Sequence, residues 1–137
     1  MATKPKSTVM RIVKIGQCPS LTGKSNLTYH LGCDAKSELY IRIWGNDGGG
    51  LFGTEWVAWS RIEPVLETEE PIVSKTLRPL FKGRSANTPG FVLAVLRAEG
   101  VIERIEGHLS GHGKADPTAF LRHADSDADL KVPGERR

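Results

Sequence analysis

The chain has 137 residues, and its 19 Lys and Arg against 16 Asp and Glu give a formal net charge of +3. Apolar residues make up 39% and charged residues 26%, which excludes a chain that is disordered throughout and suits one domain with a modest core. The longest apolar run, at 91–96, is too short for a transmembrane helix. Two cysteines exclude a disulfide framework, and no signal peptide is visible, so we expect a cytoplasmic protein.

The charges alternate in blocks along the chain. Residues 1–50 carry +4, residues 51–74 carry −4, residues 75–100 carry +4 and residues 101–137 carry −1. Such blocks are compatible with one basic face and one acidic face. The simpler alternative, in which these charges only solvate the surface, stays open.

The N-terminal half is predicted to be rich in β-structure. Residues 1–8 contain no large apolar group and predict a flexible basic arm that carries Lys4 and Lys6. Three β-rich segments follow, separated by short polar or glycine-containing turns. They lie at 9–16, 27–33 and 38–44. The short connection 34–37 favours an antiparallel hairpin, so we predict a small meander.

The third β segment alternates clearly between two faces. One face carries Leu39, Ile41 and Ile43, which are typical of a strand side that is buried. The other face carries Tyr40, Arg42 and Trp44. Aromatic rings with neighbouring cations can stack single-stranded bases.

A glycine-rich segment at 45–53 interrupts the pattern and predicts a flexible turn or a hinge over a binding surface. Thr54 is then predicted to cap a helix, since large apolar residues recur at spacings of three and four. These residues are Trp56, Trp59, Ile62 and Leu66. Pro64 lacks a backbone N–H and is predicted to end or kink this helix near 61–63.

An acidic stretch at 67–71 predicts a linker between a β-rich half at 9–70 and a helical half at 71–124. A short helix is predicted at 75–82. Thr88 followed by Pro89 predicts the start of a longer helix, because threonine caps and proline fits the first helical position. We expect this helix to run to about Glu99 and to end at Gly100 in the left-handed conformation.

The rest of the chain is predicted as a strand at 101–109 and a turn at 110–114. Asp116 and Pro117 then repeat the signal for a helix start, and this last helix runs to about Ala124. The tail at 125–137 is highly charged and is predicted to be disordered. The fold class is therefore α+β, with a small antiparallel sheet followed by a helical half.

The segment 93–113 resembles the end of a winged helix-turn-helix unit. An apolar helix closes on Gly100, an aliphatic pair with Glu-Arg follows, and 107–113 is the candidate wing. The resemblance covers about residues 75–113 and implies that the second helix of the unit enters the DNA major groove. It implies base contacts from Ser85, Asn87 and Thr88. It implies phosphate contacts from Arg78, Lys82 and Arg84.

One feature departs from that family. The predicted helix at 88–99 is apolar on nearly every side, whereas a helix in a groove presents a polar stripe. The alternative is that this is a core helix of an α+β domain.

Some residues of the chain are of types that bind metals or act in catalysis, but their spacing does not favour either role. Cys18, Cys33, His108 and His112 supply zinc-ligand types, but no close cysteine pair is present. Nucleophilic chemistry from Cys33 with His30 is disfavoured, because an odd spacing on a strand points them to opposite faces. The glycine segment lacks both the P-loop and the dinucleotide patterns. We therefore predict no metal, no cofactor and no enzymatic activity.

Two functions from different classes remain. The first is a small non-enzymatic protein or regulator that binds DNA or RNA through the residues named above and through Lys4 and Lys6. The second is a protein-binding module or inhibitor that uses the acidic stretch within 63–70 and an aromatic surface next to the glycines. Its residues are Trp44, Tyr40, Glu69 and Glu70. The sequence is silent on oligomeric state.

Overall fold

The computed structural model describes residues 10–81, 87–107 and 111–132. The strands are β1 (Arg11–Pro19), β2 (Asn26–Cys33), β3 (Leu39–Asn46), β4 (Val57–Ala58), β5 (Ile102–Arg104) and β6 (His112–Lys114). The helices are α1 (Trp59–Leu66), α2 (Ser74–Leu77), α3 (Thr88–Ala98) and α4 (Thr118–Leu121), with 3₁₀ turns at Arg78–Phe81 and Arg122–Asp125. None of the helices in these three described ranges is long and apolar enough to cross a membrane.

The first four strands form one antiparallel sheet in the order β1-β2-β3-β4, which confirms the predicted meander. Leu39, Ile41 and Ile43 are buried on its inner face, as their alternation predicts. The short strand β4 was not predicted, because it is defined only by its pairing with Tyr40 and Ile41.

The helices cover the inner face of this sheet. α3 buries most of its surface, including Leu93, Val95 and Leu96, in a core that it shares with β1, β2 and β3. Trp59 of α1 joins the same core and packs against Phe120 of α4, with ring centroids 5.2 Å apart. The molecule thus combines a sheet from the N-terminal half with helices from the rest, and both halves build one core.

The first helix starts later than predicted. Thr54 does not cap it; α1 begins at Trp59, with Ala58 as the residue before it. Pro64 does not end α1 either, because the helix continues to Leu66 with the proline inside. Burial of Ile62 and Leu66 in the core offsets the hydrogen bond that the proline nitrogen cannot donate.

The later elements follow the sequence pattern closely. Leu77 and Phe81 are buried in the short helix and the 3₁₀ turn that follows it. α3 starts at Thr88 and Gly100 ends it with φ of +81°, but Thr88 does not cap the helix as predicted, because Asn87 precedes it and no side chain caps this end. Asp116 Oδ1 accepts a hydrogen bond from the Thr118 backbone N–H at 3.0 Å and thereby opens α4.

The predicted strand at 101–109 is shorter than expected, and the predicted turn at 110–114 contains a strand. β5 and β6 pair antiparallel, with Arg104 opposite His112. A bridge between Ile72 and His112 joins this hairpin to the segment before α2. The winged-helix resemblance stays a prediction.

Residues 126–132, which we name the strap, differ from the disordered tail predicted at 125–137. Arg11 Nη1 donates hydrogen bonds to the carbonyl oxygens of Ser126 and Ala128, at 3.0 and 2.8 Å. The Leu130 N–H donates to the Ile12 carbonyl at 2.8 Å, and Val132 is only 7% exposed. The strap therefore lies along β1, the edge strand of the sheet.

Candidate functional site

The outer face of the sheet carries a cluster of aromatic and basic side chains on β3. Tyr40, Arg42 and Trp44 are half-buried there, while the alternate residues of the strand are buried in the core. Tyr29 pairs with Ile43 and Thr28 pairs with Gly45, so Trp44 is the extra residue of a β-bulge. Such bulges change the direction in which a side chain points.

Arg42 lies between two indole rings. Its guanidinium carbon is 4.5 Å from the ring centroid of Trp44 and 4.2 Å from that of Trp56. We name Arg42, Trp44 and Trp56 the tryptophan–arginine face. Tryptophan is the best aromatic partner of a cation and arginine the more frequent cation, so these contacts favour holding the three side chains together.

A buried histidine supports this face from below. Arg42 Nε donates a hydrogen bond to His30 Nδ1 at 3.1 Å, which requires that nitrogen to be unprotonated. The His30 ring stacks on Trp44, with centroids 5.0 Å apart and planes 28° apart. His30 lies directly opposite Arg42 in the ladder, so strand register alone places the pair together.

Trp56 reaches the sheet from the loop before β4. A Cβ atom on Gly32 would lie 2.7 Å from Trp56 Cη2, so the indole packs directly on the β2 backbone and needs glycine there. The edge of Tyr40 meets the same indole, with centroids 6.4 Å apart. Trp56 therefore belongs to the outer face of the sheet. Its spacing from Trp59 predicted that it lies on a helix, and this prediction was wrong.

Tyr40 is fixed by the turn that precedes β3. Its hydroxyl donates a hydrogen bond to Asp34 Oδ2 at 3.0 Å. Partial burial and this bond raise the pKa of Tyr40. Burial would raise the pKa of Asp34 as well, but hydrogen bonds from backbone N–H groups and from Tyr40 lower it below its ordinary value.

Trp56 lines two clefts. The first cleft, of about 510 Å³, is lined by the tryptophan–arginine face, by Met10 and Ile12, and by strap residues 129–132. The second cleft, of about 380 Å³, is lined by Trp56, Arg61 and residues 79–81, among others. Trp56 lines both clefts and is the residue that they share.

The nucleic-acid-binding residues predicted from the sequence do not form one surface within the described ranges. Arg78 is exposed on the 3₁₀ turn beside the second cleft. Asn87 is also exposed, but its Nδ2 donates to the Leu51 carbonyl at 2.9 Å. Thr88 is 2% exposed and its Oγ1 accepts from the Gly53 N–H at 3.0 Å, so its hydroxyl is not available to a base. Five predicted residues lie outside the described ranges, namely Lys4, Lys6, Lys82, Arg84 and Ser85.

The glycine segment is held in place by specific hydrogen bonds. Besides the bonds from Asn87 and to Thr88, Asn46 Nδ2 donates to the Gly50 carbonyl at 3.3 Å. A Cβ on Gly50 would lie 2.7 Å from Asn87 Nδ2, so this glycine permits a close approach. The segment borders a third cleft of about 470 Å³ and leaves Leu51 81% exposed.

The residues predicted for protein binding do not lie together: two are in the sheet and two are in the helical layer. Tyr40 and Trp44 lie on the outer sheet face described above. Glu69 and Glu70 are exposed in the loop between α1 and α2, which belongs to the helical layer.

The two cysteines are buried and free, at opposite ends of the β1–β2 hairpin. Cys18 pairs with Leu27 and Cys33 pairs with Arg11, which separates them by roughly 20 Å along the ladder. Burial raises the pKa of both thiols. Across residues 10–81, 87–107 and 111–132, no group of three His, Cys, Asp or Glu could hold a metal ion; His108 lies outside these ranges.

One polar cluster was not predicted. Glu99 Oε2 accepts hydrogen bonds from Lys14 Nζ at 2.7 Å and from the Tyr29 hydroxyl at 2.5 Å. Its Oε1 lies 3.1 Å from His123 Nε2, and the Glu99 side chain is only 4% exposed. The cluster ties α3, β1 and β2 to the turn that leads into the strap. A glutamate at the end of a helix gives no sequence signal for this role, since its partners are distant in the chain.

Compared with protein-family models, with curated proteins and with solved structures, the chain matches none of them.

Proposed function

We propose that this protein is a small, non-enzymatic nucleic-acid-binding protein that holds a single strand on the outer face of its sheet. The observation that carries the proposal is the tryptophan–arginine face, in which Arg42 lies between two indoles at the edge of a cleft of about 510 Å³. The whole chain is mildly basic, at +3.

Stacking is the interaction that such a face offers. Unpaired bases stack on aromatic side chains and on arginine, and each base contributes about 1–3 kcal/mol with little dependence on sequence. Bases in a duplex stack on each other and cannot reach a half-buried indole. The proposal therefore predicts a preference for single strands over duplex of the same length.

Basic residues precede the first cleft and follow the second cleft in the sequence. Met10 lines the first cleft, and Lys6 is four residues before it, within about 14 Å along an extended chain. Residues 79–81 line the second cleft, and Arg84 is three residues beyond them, within about 11 Å. We therefore expect these lysine and arginine side chains to contact phosphates on either side of a stacked base.

The test is an anisotropy titration of a labelled oligothymidylate and of a duplex at several salt concentrations. We expect single-strand affinity that falls with salt, by about 0.7 in the logarithmic slope for each phosphate contact. Trp44→Leu should weaken binding about five- to 150-fold, as expected from the loss of one stacked base. Phe52→Leu is the matched control, because it removes a partly buried ring that packs against Phe91 elsewhere.

Charge variants identify the phosphate contacts. Joint replacement of Lys4 and Lys6 by glutamine should lower the salt slope, and so should joint replacement of Arg78 and Arg84. Absence of binding to single-stranded DNA and RNA at low salt, in the wild type and in an Arg11→Ala variant that frees the strap, would refute the function. Equal loss in the Trp44 and Phe52 variants would refute the proposed face.

A second candidate function is a protein-binding module or inhibitor. The observation that favours it is the exposed acidic loop with Glu69 and Glu70, which the nucleic-acid proposal does not use. A pulldown with the joint Glu69→Gln and Glu70→Gln variant tests it, with Glu103→Gln as an exposed control. Retention of a partner by both variants would refute this use of the loop.

A further inference from the structure

The strap forms one wall of the first cleft. Asp129, Leu130, Lys131 and Val132 line this cleft together with Arg42 and the two indoles. A strand that enters the cleft to stack on the tryptophan–arginine face therefore meets these strap residues.

The strap is held mainly through its backbone. The bonds from Arg11 end on carbonyl oxygens of the strap, and the bond to Ile12 starts from the Leu130 N–H. Val132 is the buried side chain of the strap, whereas the side chains of Asp127, Asp129 and Lys131 are exposed. Backbone hydrogen bonds at an exposed strand edge exchange readily with water, so such a segment opens locally at low cost.

The strap lines this cleft with one acidic and one basic residue, Asp129 and Lys131. Asp129 lines the cleft that Arg42 borders, while Asp127 does not line it. A carboxylate in a cleft that a guanidinium borders repels the phosphate oxygens that arginine would otherwise bind there.

We infer that the strap competes with nucleic acid for the first cleft, and that the Asp129 carboxylate disfavours a phosphate there. This inference rests on the proposed function. Binding then requires the strap to move aside, and whatever loosens the strap raises the affinity for single strands.

A matched pair of variants tests the competition. Asp129→Asn and Asp127→Asn change the net charge equally and lie two residues apart on exposed positions. Asp129→Asn should tighten the binding of oligothymidylate about two- to fivefold relative to Asp127→Asn, as expected from removing one exposed like charge that a phosphate would meet in the cleft. Equal affinities in the two variants would overturn the inference.

Strap movement is measured without nucleic acid. Arg11→Ala removes both bonds to the strap carbonyls, so acrylamide should quench tryptophan fluorescence more strongly than in the wild type. Arg104→Ala, an exposed arginine of β5, is the control for charge. Unchanged quenching in a folded Arg11→Ala variant, verified by thermal melting, would overturn the inference.

The two kinds of failure are distinguishable. If no variant binds single strands, including Arg11→Ala, the proposed function fails and the competition fails with it. If the wild type binds and the two aspartate variants bind equally, the competition alone fails.

Discussion

The buried carboxylate of Glu99 should be a major determinant of stability, and Glu99→Gln tests this. The substitution keeps the size of the side chain but removes the charge that accepts bonds from Lys14 and Tyr29. Breaking a buried pair at one partner costs about 3–5 kcal/mol. Lys14 is 37% exposed and regains water, so we expect a loss of about 2–3 kcal/mol in the free energy of unfolding.

Urea unfolding at pH 7, followed by tryptophan fluorescence, measures this loss. Glu103→Gln makes the same chemical change on an exposed residue of β5 and should alter stability by less than about 0.5 kcal/mol. A loss in Glu99→Gln as small as in this control would refute the reasoning.

The stability lost in Glu99→Gln should depend on pH. Burial alone would raise the pKa of Glu99, but hydrogen bonds from Lys14 and Tyr29 outweigh it, and the pKa lies below its ordinary value. A carboxyl whose pKa is lowered by folding stabilises the protein above its unfolded pKa, about 4.3, and loses this contribution as the pH falls through the folded pKa. The stability difference between wild type and Glu99→Gln should therefore shrink below about pH 4. A constant difference from pH 7 to pH 3 would contradict the assignment.

Three further substitutions probe close contacts by urea unfolding. Gly32→Ala should lose about 1–2 kcal/mol, because the new Cβ meets an indole at 2.7 Å, whereas Gly49→Ala has nothing within 4 Å and should be nearly neutral. Thr88→Val should lose about 1–3 kcal/mol, since it deprives the Gly53 N–H of its acceptor, and equal stability would exclude that bond. Gly100→Ala should lose about 1 kcal/mol at φ of +81°, and a gain would contradict the left-handed helix end.

Local patterns predicted the sheet and most helix boundaries. The alternation at Leu39–Trp44 and the polar turn before it are physical requirements of a hairpin with one buried face. Pro89 in the first turn and Gly100 likewise mark the two ends of α3, although Thr88 does not cap the helix. These signals lie within a few residues of the feature that they specify.

Features that depend on distant pairing were not predictable in this way. Trp56 lies three residues before Trp59, which imitates a helical face, but residues 57–58 pair with β3 and turn Trp56 onto the outer face. The charged composition of the strap is typical of disorder, yet its backbone bonds hold it to Arg11 and Ile12. Composition does not encode such bonds.

The sequence predicted only part of the candidate site. The shared strand face of Tyr40, Arg42 and Trp44 followed from alternation. The second indole, the supporting His30 and the strap wall followed only from the tertiary structure.

The acidic loop at 67–71 joins two segments of chain that build one core, so cleavage of the loop by a protease should not separate them. Its residues are exposed, so a protease can nick the backbone there. Residues on both sides, such as Leu66 and Leu93, are fully buried together in that core, and neither fragment retains it alone. The two fragments should stay associated after cleavage, separate only when the core unfolds, and reassemble by complementation when they are mixed.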